Sequence, residues 1–236
     1  MGEILTAFDR ILEGFWVTLQ VTVYGALGAL VIAFIAGLMG LSPSFLVRAI
    51  ARVFVETFRG TSLLVQLFWW FYVLPFLGIQ LEPLAAGVVA MATNYGAYGS
   101  EVVRGAILAV PKEQREATVA LSMTPLQRMR LVLLPQAIVG MIPPFTNLLV
   151  QLLKGSALVS LITLVDITRA ATQVRGETGE TVVPYTAALV IYFVLAQAMI
   201  FGMRLWERHA KARIGQPLPP LFGTRVTPKE VQGVAG

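Results

Sequence analysis

The 236 residues are 56% hydrophobic and only 13% charged, with mean hydropathy +0.74, which excludes an ordinary soluble domain and points to a membrane protein. A formal charge of +5 and a pI near 9.8 would suit a nucleic-acid binder, but the basic residues stand at the ends of apolar runs, so no nucleic-acid partner is expected. With no cysteine and one histidine, His209, disulfides, thiolate chemistry and a His-cluster metal site are excluded.

The opening MGEILTAFDRILEGF contains acids and lacks a basic start, so it reads as an extracytoplasmic segment, residues 1–16, and not as a cleavable signal peptide. Five apolar segments follow, each near the roughly 20 residues needed to span hydrocarbon. They cover 17–41, 62–78, 84–98 with a helical continuation toward 110, 134–153 interrupted by Pro143 and Pro144, and 184–206. The apolar stretch 157–164 is too short to span and reads as a re-entrant or broken helix. From about 215 onward the chain is rich in Pro and Gly, as expected of a flexible tail within a cytoplasmic segment 207–236. The expected fold is an all-α, polytopic membrane domain over residues 17–206.

Positive charge sets the expected orientation. Arg48, Arg52 and Arg59 follow the first segment; Arg104, Lys112, Arg115, Arg128 and Arg130 lie between the third and fourth; Arg204, Arg208, Lys211, Arg213, Arg225 and Lys229 end the chain. Fourteen of the 18 Lys and Arg thus fall on one side, which predicts an outside N-terminus and a cytoplasmic C-terminus.

Residues 111–135 form a polar interruption with the signals of a two-helix hairpin. Pro111 fits a first helical turn, 112–121 is helix-compatible, and Thr124, Pro125 and Gln127 make a capping-box pattern that starts a second helix over 125–133. Ser122 and Met123 make the bend, and Met123, Leu126, Met129 and Val132 supply an apolar docking stripe. This pattern resembles the EAA loop of ABC-importer permeases: Glu-Ala-Ala, three residues, Gly, nine residues, Ile, one residue, Leu-Pro. Here those places hold Glu116, Ala117 and Thr118, then Ser122, Val132, Leu134 and Pro135, without a gap. Thr118, Ser122 and Val132 depart from the pattern, and serine suits a left-handed bend less well than glycine.

Further matches resemble the polar amino-acid uptake branch, whose fold is MetI-like: Gly14, Thr18 and Leu19; the box Phe58, Arg59, Gly60 and Thr61; Leu134 to Ala137; Ile142, Pro143 and Asn147; and Lys154 with Ser156, Leu158 and Ser160. The run KGSALVSLITLVD is similar to permeases for ectoine-type compatible solutes. The resemblance spans about residues 14–206. It implies a bacterial inner-membrane permease subunit that pairs with a second permease, identical or related, with a cytoplasmic ABC ATPase dimer docked at the hairpin and with an extracytoplasmic substrate-binding protein. No Gly-x-x-x-x-Gly-Lys-[Ser/Thr] loop is present to cradle ATP phosphates, so neither a catalytic residue nor a cofactor is assigned to this chain.

Single residues keep more than one reading. Glu116 couples to the partner, braces the hairpin through Arg115 or Arg130, or is a solvated helix charge. Arg59 either snorkels or contacts neighbouring helices. Lys154 supports a gate by pairing with Glu82 or Asp166, or meets the solute. Asn94, Tyr95, Tyr98, Ser100 and Glu101 serve as interhelical contacts or line the path, with Glu101 also placed to face water, and Asn147 and Ser156 are pathway or gate candidates. Phe68 to Tyr72 reads as an aromatic belt, and Gly25, Gly28 and Gly37 as a close-packing face. The rival class is an ion-coupled carrier, which calls for more ionisable groups within its spans than Glu101 and Lys154.

Overall fold

A computed structural model of the chain describes residues 2–213, and every element among them is helical. The order is α1 Gly2–Met39, α2 Phe45–Gly60, α3 Leu63–Phe68, α4 Pro83–Leu108, α5 Lys112–Ala120, α6 Pro125–Arg128, α7 Leu134–Gly155, α8 Ile167–Thr178 and α9 Val182–Arg213. A π-helical turn, Trp69–Val73, and a 3-10 turn, Leu74–Leu77, prolong α3; another π turn, Met129–Leu133, joins α6 to α7; and a 3-10 segment, Ser156–Ile162, leaves α7. The tail expected beyond 215 lies outside the described residues.

Length and apolarity select three spanning helices, Arg10–Met39, Pro125–Ile162 and Val182–Ala212, or four if α2 and the segment after it count as one. That is fewer than the five expected, for two reasons. The second apolar segment is bent by 103° from α2, leaving Leu63–Leu77 as a short arm. The third lies in α4, whose 26 residues reach about 39 Å at 1.5 Å per residue but whose apolarity is diluted by Asn94, Tyr95, Tyr98 and Ser100. The stretch holding Arg48, Arg52 and Arg59 is helix α2 and not a loop. No break divides residues 2–16 from the first span, since α1 is continuous.

α1 and α4 form the largest packed pair, and small residues permit it. A Cβ on Gly28 would stand 2.8 Å from that of Ala92, one on Gly96 2.7 Å from that of Ile32, and one on Gly37 2.8 Å from the Ser100 carbonyl oxygen. Backbones this close maximise dispersion contacts, which must replace the hydrophobic drive that lipid does not provide. One core gathers Val21 of α1, Leu67 of α3, Met91 of α4 and Leu152 of α7, and a second gathers Val103, Ile107, Leu133 and Met141 toward the hairpin. α9 packs on the bundle mainly through α7 and α8, joining Ala188 and Tyr192 to Ile167 and Ala171.

α7 passes unbroken through Pro143 and Pro144, contrary to the expected interruption. Proline's fixed φ is compatible with helix; what it removes is the N–H that would reach the carbonyl four residues back. The chain leaves the short 3-10 segment at Thr163 with φ +74°, a left-handed turn, before α8. α8 itself was not foreseen: its apolar residues Ile167, Ala170, Ala171 and Val174 are buried, but the segment is too polar and too short to read as a span.

Candidate functional site

The hairpin is shaped by local chemistry at each end. α5 closes with Met123 N–H donating to the Thr118 carbonyl (3.1 Å) and Ser122 N–H to the Val119 carbonyl (2.9 Å), with Ser122 at φ +54°. This 6→1 and 5→2 pair is the Schellman arrangement, whose left-handed position ordinarily takes glycine. The second helix starts with the capping box foreseen: the Thr124 hydroxyl accepts from Gln127 N–H (3.3 Å), and Gln127 Oε1 accepts from Thr124 N–H (2.9 Å). Pro111 stands at the N-cap, one residue before the helical position expected for it.

Contacts to the bundle fix the hairpin's pose. An Arg115 guanidinium N–H donates to the Ile107 carbonyl at 2.6 Å, tying α5 back to the end of α4. Thr118, 2% exposed, donates its hydroxyl proton to the Arg115 carbonyl at 2.7 Å, so the residue that departs from alanine satisfies its own polar group inside α5. Leu133 is buried, and Met129 and Leu134 pack beside it on the second core. Glu116 engages neither Arg115 nor Arg130; its carboxylate meets Lys112 one turn earlier at 3.1 Å. Both side chains are more than half exposed, so the pair adds little stability and leaves Glu116 accessible. Ala117 and Pro135 are exposed and Val132 is half-buried. Val119, Leu121, Leu126 and Leu131 also stand exposed, so the apolar stripe splits, with Leu126 outward and Met129 inward.

The pathway candidates divide into three places. Arg59, Asn94, Tyr98 and Glu101 come together where α2 crosses α4. Asn94 is buried and donates its amide to the Phe58 carbonyl at 3.1 Å; Tyr98 Oη donates to the Arg59 carbonyl at 3.3 Å; and the Arg59 guanidinium lies 5.3 Å from the Tyr98 ring centroid. Gln66 braces the same box from the arm, donating to the Phe58 carbonyl at 2.8 Å and to Thr61 Oγ1 at 2.7 Å. Glu101 forms an ion pair with Arg104 at 2.7 Å.

On α7, Asn147 and Lys154 are exposed, and Gln151, which sequence reasoning missed, stands between them. With Gly140 and Pro143, the exposed positions recur at intervals of three and four, one stripe along the helix. The signal available in advance was the polar i, i+4, i+7 spacing of Asn147, Gln151 and Lys154. Lys154 pairs with neither Glu82 nor Asp166.

Ser156 belongs to a third place, a buried node. Its hydroxyl donates to the Leu153 carbonyl at 2.7 Å, and it is fully buried beside Asp166 and Thr18, both also at 0% exposure. Asp166 accepts from Arg169 N–H (2.9 Å) and from the Tyr192 hydroxyl (3.2 Å), and burial pushes its carboxyl above the ordinary carboxylate range against those stabilising bonds. Beyond the node, Arg10 of α1 pairs with Glu177 of α8.

A separate cavity of about 400 Å³ lies between α1, α4, α7 and α9, walled by residues such as Leu30, Phe34, Phe145 and Met203. Its polar side chains are few: Thr22, whose Oγ1 lacks a hydrogen-bond partner, Tyr95, whose hydroxyl is already bonded to the Gln151 carbonyl at 2.8 Å, and Trp206. Such walls do not suit a small polar solute, which needs several placed polar groups. The aromatic run leaves Phe68, Trp69 and Tyr72 partly exposed while Trp70 and Phe71 pack inward, so the five rings do not face one site.

Known proteins resemble this chain in sequence and fold. The sequence pattern of the binding-protein-dependent transport system inner membrane component family matches residues 29–212. A probable amino-acid ABC transporter permease protein, y4tF of Sinorhizobium fredii, is 46% identical over 201 residues, covering 83% of this chain and 84% of its own. The glutamine transport system permease protein GlnP of Escherichia coli is 32% identical over 212 residues, 89% and 97% of the two chains. A chain of the solved structure of an amino acid ABC transporter with histidines superposes with TM-score 0.81 at 33% identity, covering 87% of this chain and 96% of that one.

Proposed function

Because the chain belongs to the family of binding-protein-dependent transport system inner membrane components, we propose that it is the multi-pass inner-membrane permease subunit of an ABC importer for a small polar solute of the amino-acid class. The relatives described above are amino-acid transport proteins, which favours that class over an ectoine-like solute suggested only by the run KGSALVSLITLVD.

The observation that carries the coupling role is the hairpin's exposed edge. Val119, Leu121 and Leu126, 55%, 70% and 76% exposed, project beside the accessible Glu116 and Ala117 on a hairpin whose second limb starts from a capping box. A cytoplasmic ATPase dimer would seat there, and its closure would move the hairpin and, through Leu133 and Leu134, the base of α7. The exposed α7 stripe of Asn147, Gln151 and Lys154 suits a water-filled path completed by a second permease, identical or related, since polar groups are costly against lipid. An external binding protein would deliver the solute. The excess of Lys and Arg on one side supports an outside N-terminus and a cytoplasmic C-terminus.

The test is ATP-driven uptake of labelled amino acids by the reconstituted transporter carrying Glu116→Lys or Ala117→Asp. Uptake is expected to fall at least tenfold for Ala117→Asp, with the permease still assembled in the membrane. Undiminished ATP-coupled uptake by both variants would remove the hairpin from the mechanism, and uptake driven by a proton or sodium gradient without ATP would replace the reading with the carrier class.

A further inference from the structure

α2 has its two faces arranged unusually for a helix beside a bundle. Leu46, Ile50 and Val53 occupy one face and are 67%, 54% and 67% exposed, whereas Arg48, Arg52, Glu56 and Arg59 recur at i, i+4, i+8 and i+11 on the other. The charged face turns toward α1 and α4. There it lines a polar basin of about 470 Å³ with Glu101 and Arg104.

Small residues create the space. Gly37 brings α1 against Ser100 and Val103 of α4, and Gly40 lies beneath the Arg104 side chain, where an added Cβ would meet Cδ at 3.4 Å. Ala36 and Ala51 complete the floor, leaving room above them for long side chains and something between them.

The charge in this basin is not balanced from within. Four arginines face two carboxylates, and the ion pair formed there joins Arg104 to Glu101. Arg59 rests over the Tyr98 ring, and Arg48 makes a long hydrogen bond, 3.3 Å, to the Ser42 carbonyl. Arg48 and Arg52 therefore bring unneutralised guanidinium groups, whose fork geometry matches phosphate oxygens.

We infer that this basin binds the phosphate of an anionic phospholipid headgroup. Phosphate is the shared chemistry of a lipid and a free ion, and the position of α2 decides between them. A helix whose opposite face is exposed and apolar rests against acyl chains, so the basin behind it opens at the headgroup boundary. Basic pockets between membrane helices on the positively charged side are suited to anionic headgroups, with each arginine near the surface contributing about fivefold in affinity. The inference rests on the orientation proposed above only for naming the leaflet as cytoplasmic.

The experiment uses the full-length chain purified within its transporter complex in detergent, and follows binding of short-chain phosphatidylglycerol by native mass spectrometry, with phosphatidylcholine and inorganic phosphate as separate arms. Wild type is expected to prefer phosphatidylglycerol to phosphatidylcholine at least tenfold. Arg48→Gln with Arg52→Gln should weaken that binding about 25-fold, Arg48→Lys with Arg52→Lys should restore most of it, and Arg175→Gln on α8 should leave it unchanged. Equal binding of the two lipids, or equal loss in the Arg175→Gln control, overturns the site. Inorganic phosphate displacing phosphatidylglycerol at equal concentration assigns the basin to a soluble anion and overturns the lipid. Crosslinking of Arg52→Cys to a second copy, with no lipid retained, does the same. None of these readouts depends on transport, so their failure is separable from failure of the importer reading.

Discussion

Thr18 and Asp166 cap the same helix from two sides. The Thr18 hydroxyl accepts from Ile167 N–H at 3.2 Å while the Asp166 carboxylate accepts from Arg169 N–H at 2.9 Å, so two of the four orphan donors at the start of α8 are met by residues far apart in the chain. Gly14, one turn before Thr18, makes the approach possible, because a Cβ there would stand 2.7 Å from the Asp166 carbonyl oxygen. The Thr18 hydroxyl in turn donates to the Gly14 carbonyl at 2.9 Å.

Replacement of Thr18 by Val keeps the shape but leaves the buried Ile167 N–H unpaired, at a cost of about 1–3 kcal/mol. Gly14→Ala should cost more, since the added Cβ would meet backbone and α8 must move as a unit. Thermal unfolding of the purified complex measures both, and midpoints equal to wild type for both variants would remove the junction from the fold's support.

Asp166 adds a pH dependence whose sign follows from its environment. Burial is the largest influence and raises the folded carboxyl above its unfolded value, so the folded state holds the proton more tightly. The contribution is therefore fully present below the unfolded carboxylate value and is lost as pH rises through the folded one. The stability of wild type relative to Asp166→Asn is expected to decline over that interval, starting near the ordinary aspartate range. A difference that grows with pH would show that the hydrogen bonds from Arg169 and Tyr192 outweigh burial.

Ser122→Gly should tighten the hairpin. An L-residue in the left-handed region costs on the order of 1 kcal/mol that glycine avoids, and the Schellman bonds do not involve the serine side chain. Slower hydrogen exchange at the Ser122 and Met123 amides, with uptake retained, is the expected result. β-branched Ser122→Val should do the reverse, and identical exchange in the two variants would contradict the strain assigned to this bend.

Asn94→Ala separates the two readings of the α2–α4 crossing. One interhelical hydrogen bond in a bilayer is worth about 0.6 kcal/mol on average, so a purely structural Asn94 predicts a small fall in melting midpoint and an unchanged KM for uptake. A raised KM at unchanged stability would instead place Asn94 against the solute.

The α7 stripe can be probed directly, because the chain has no cysteine of its own. Single changes at Asn147, Gln151 and Lys154 to Cys should react with a small water-soluble thiol reagent in the assembled transporter, while Leu153→Cys, buried at 1%, should not. Uniform protection of the three stripe positions would argue against a water-filled path along α7.

The features that the sequence alone determined are those written in neighbouring residues. Hydropathy reports the membrane; the Thr124–Gln127 box reports a helix start; and the spacing from Glu116 to Pro135 reports a hairpin whose bend falls at Ser122, because capping and turn chemistry act within one or two helical turns. The glycine face of α1 was legible for a similar reason, since side-chain size needs no partner to be read. What only the tertiary structure decided depends on residues distant along the chain. It turned the second apolar segment into a bent arm held by Gln66, converted an arginine-bearing loop into the amphipathic α2, and drew Asn94 and Tyr98 onto the carbonyls of Phe58 and Arg59. It also gave Gly14 and Thr18 their purpose, since Thr18 meets Ile167 149 residues later. A hydrogen-bond partner or a close backbone approach leaves no periodic trace in sequence, and it exists only once the helices have packed.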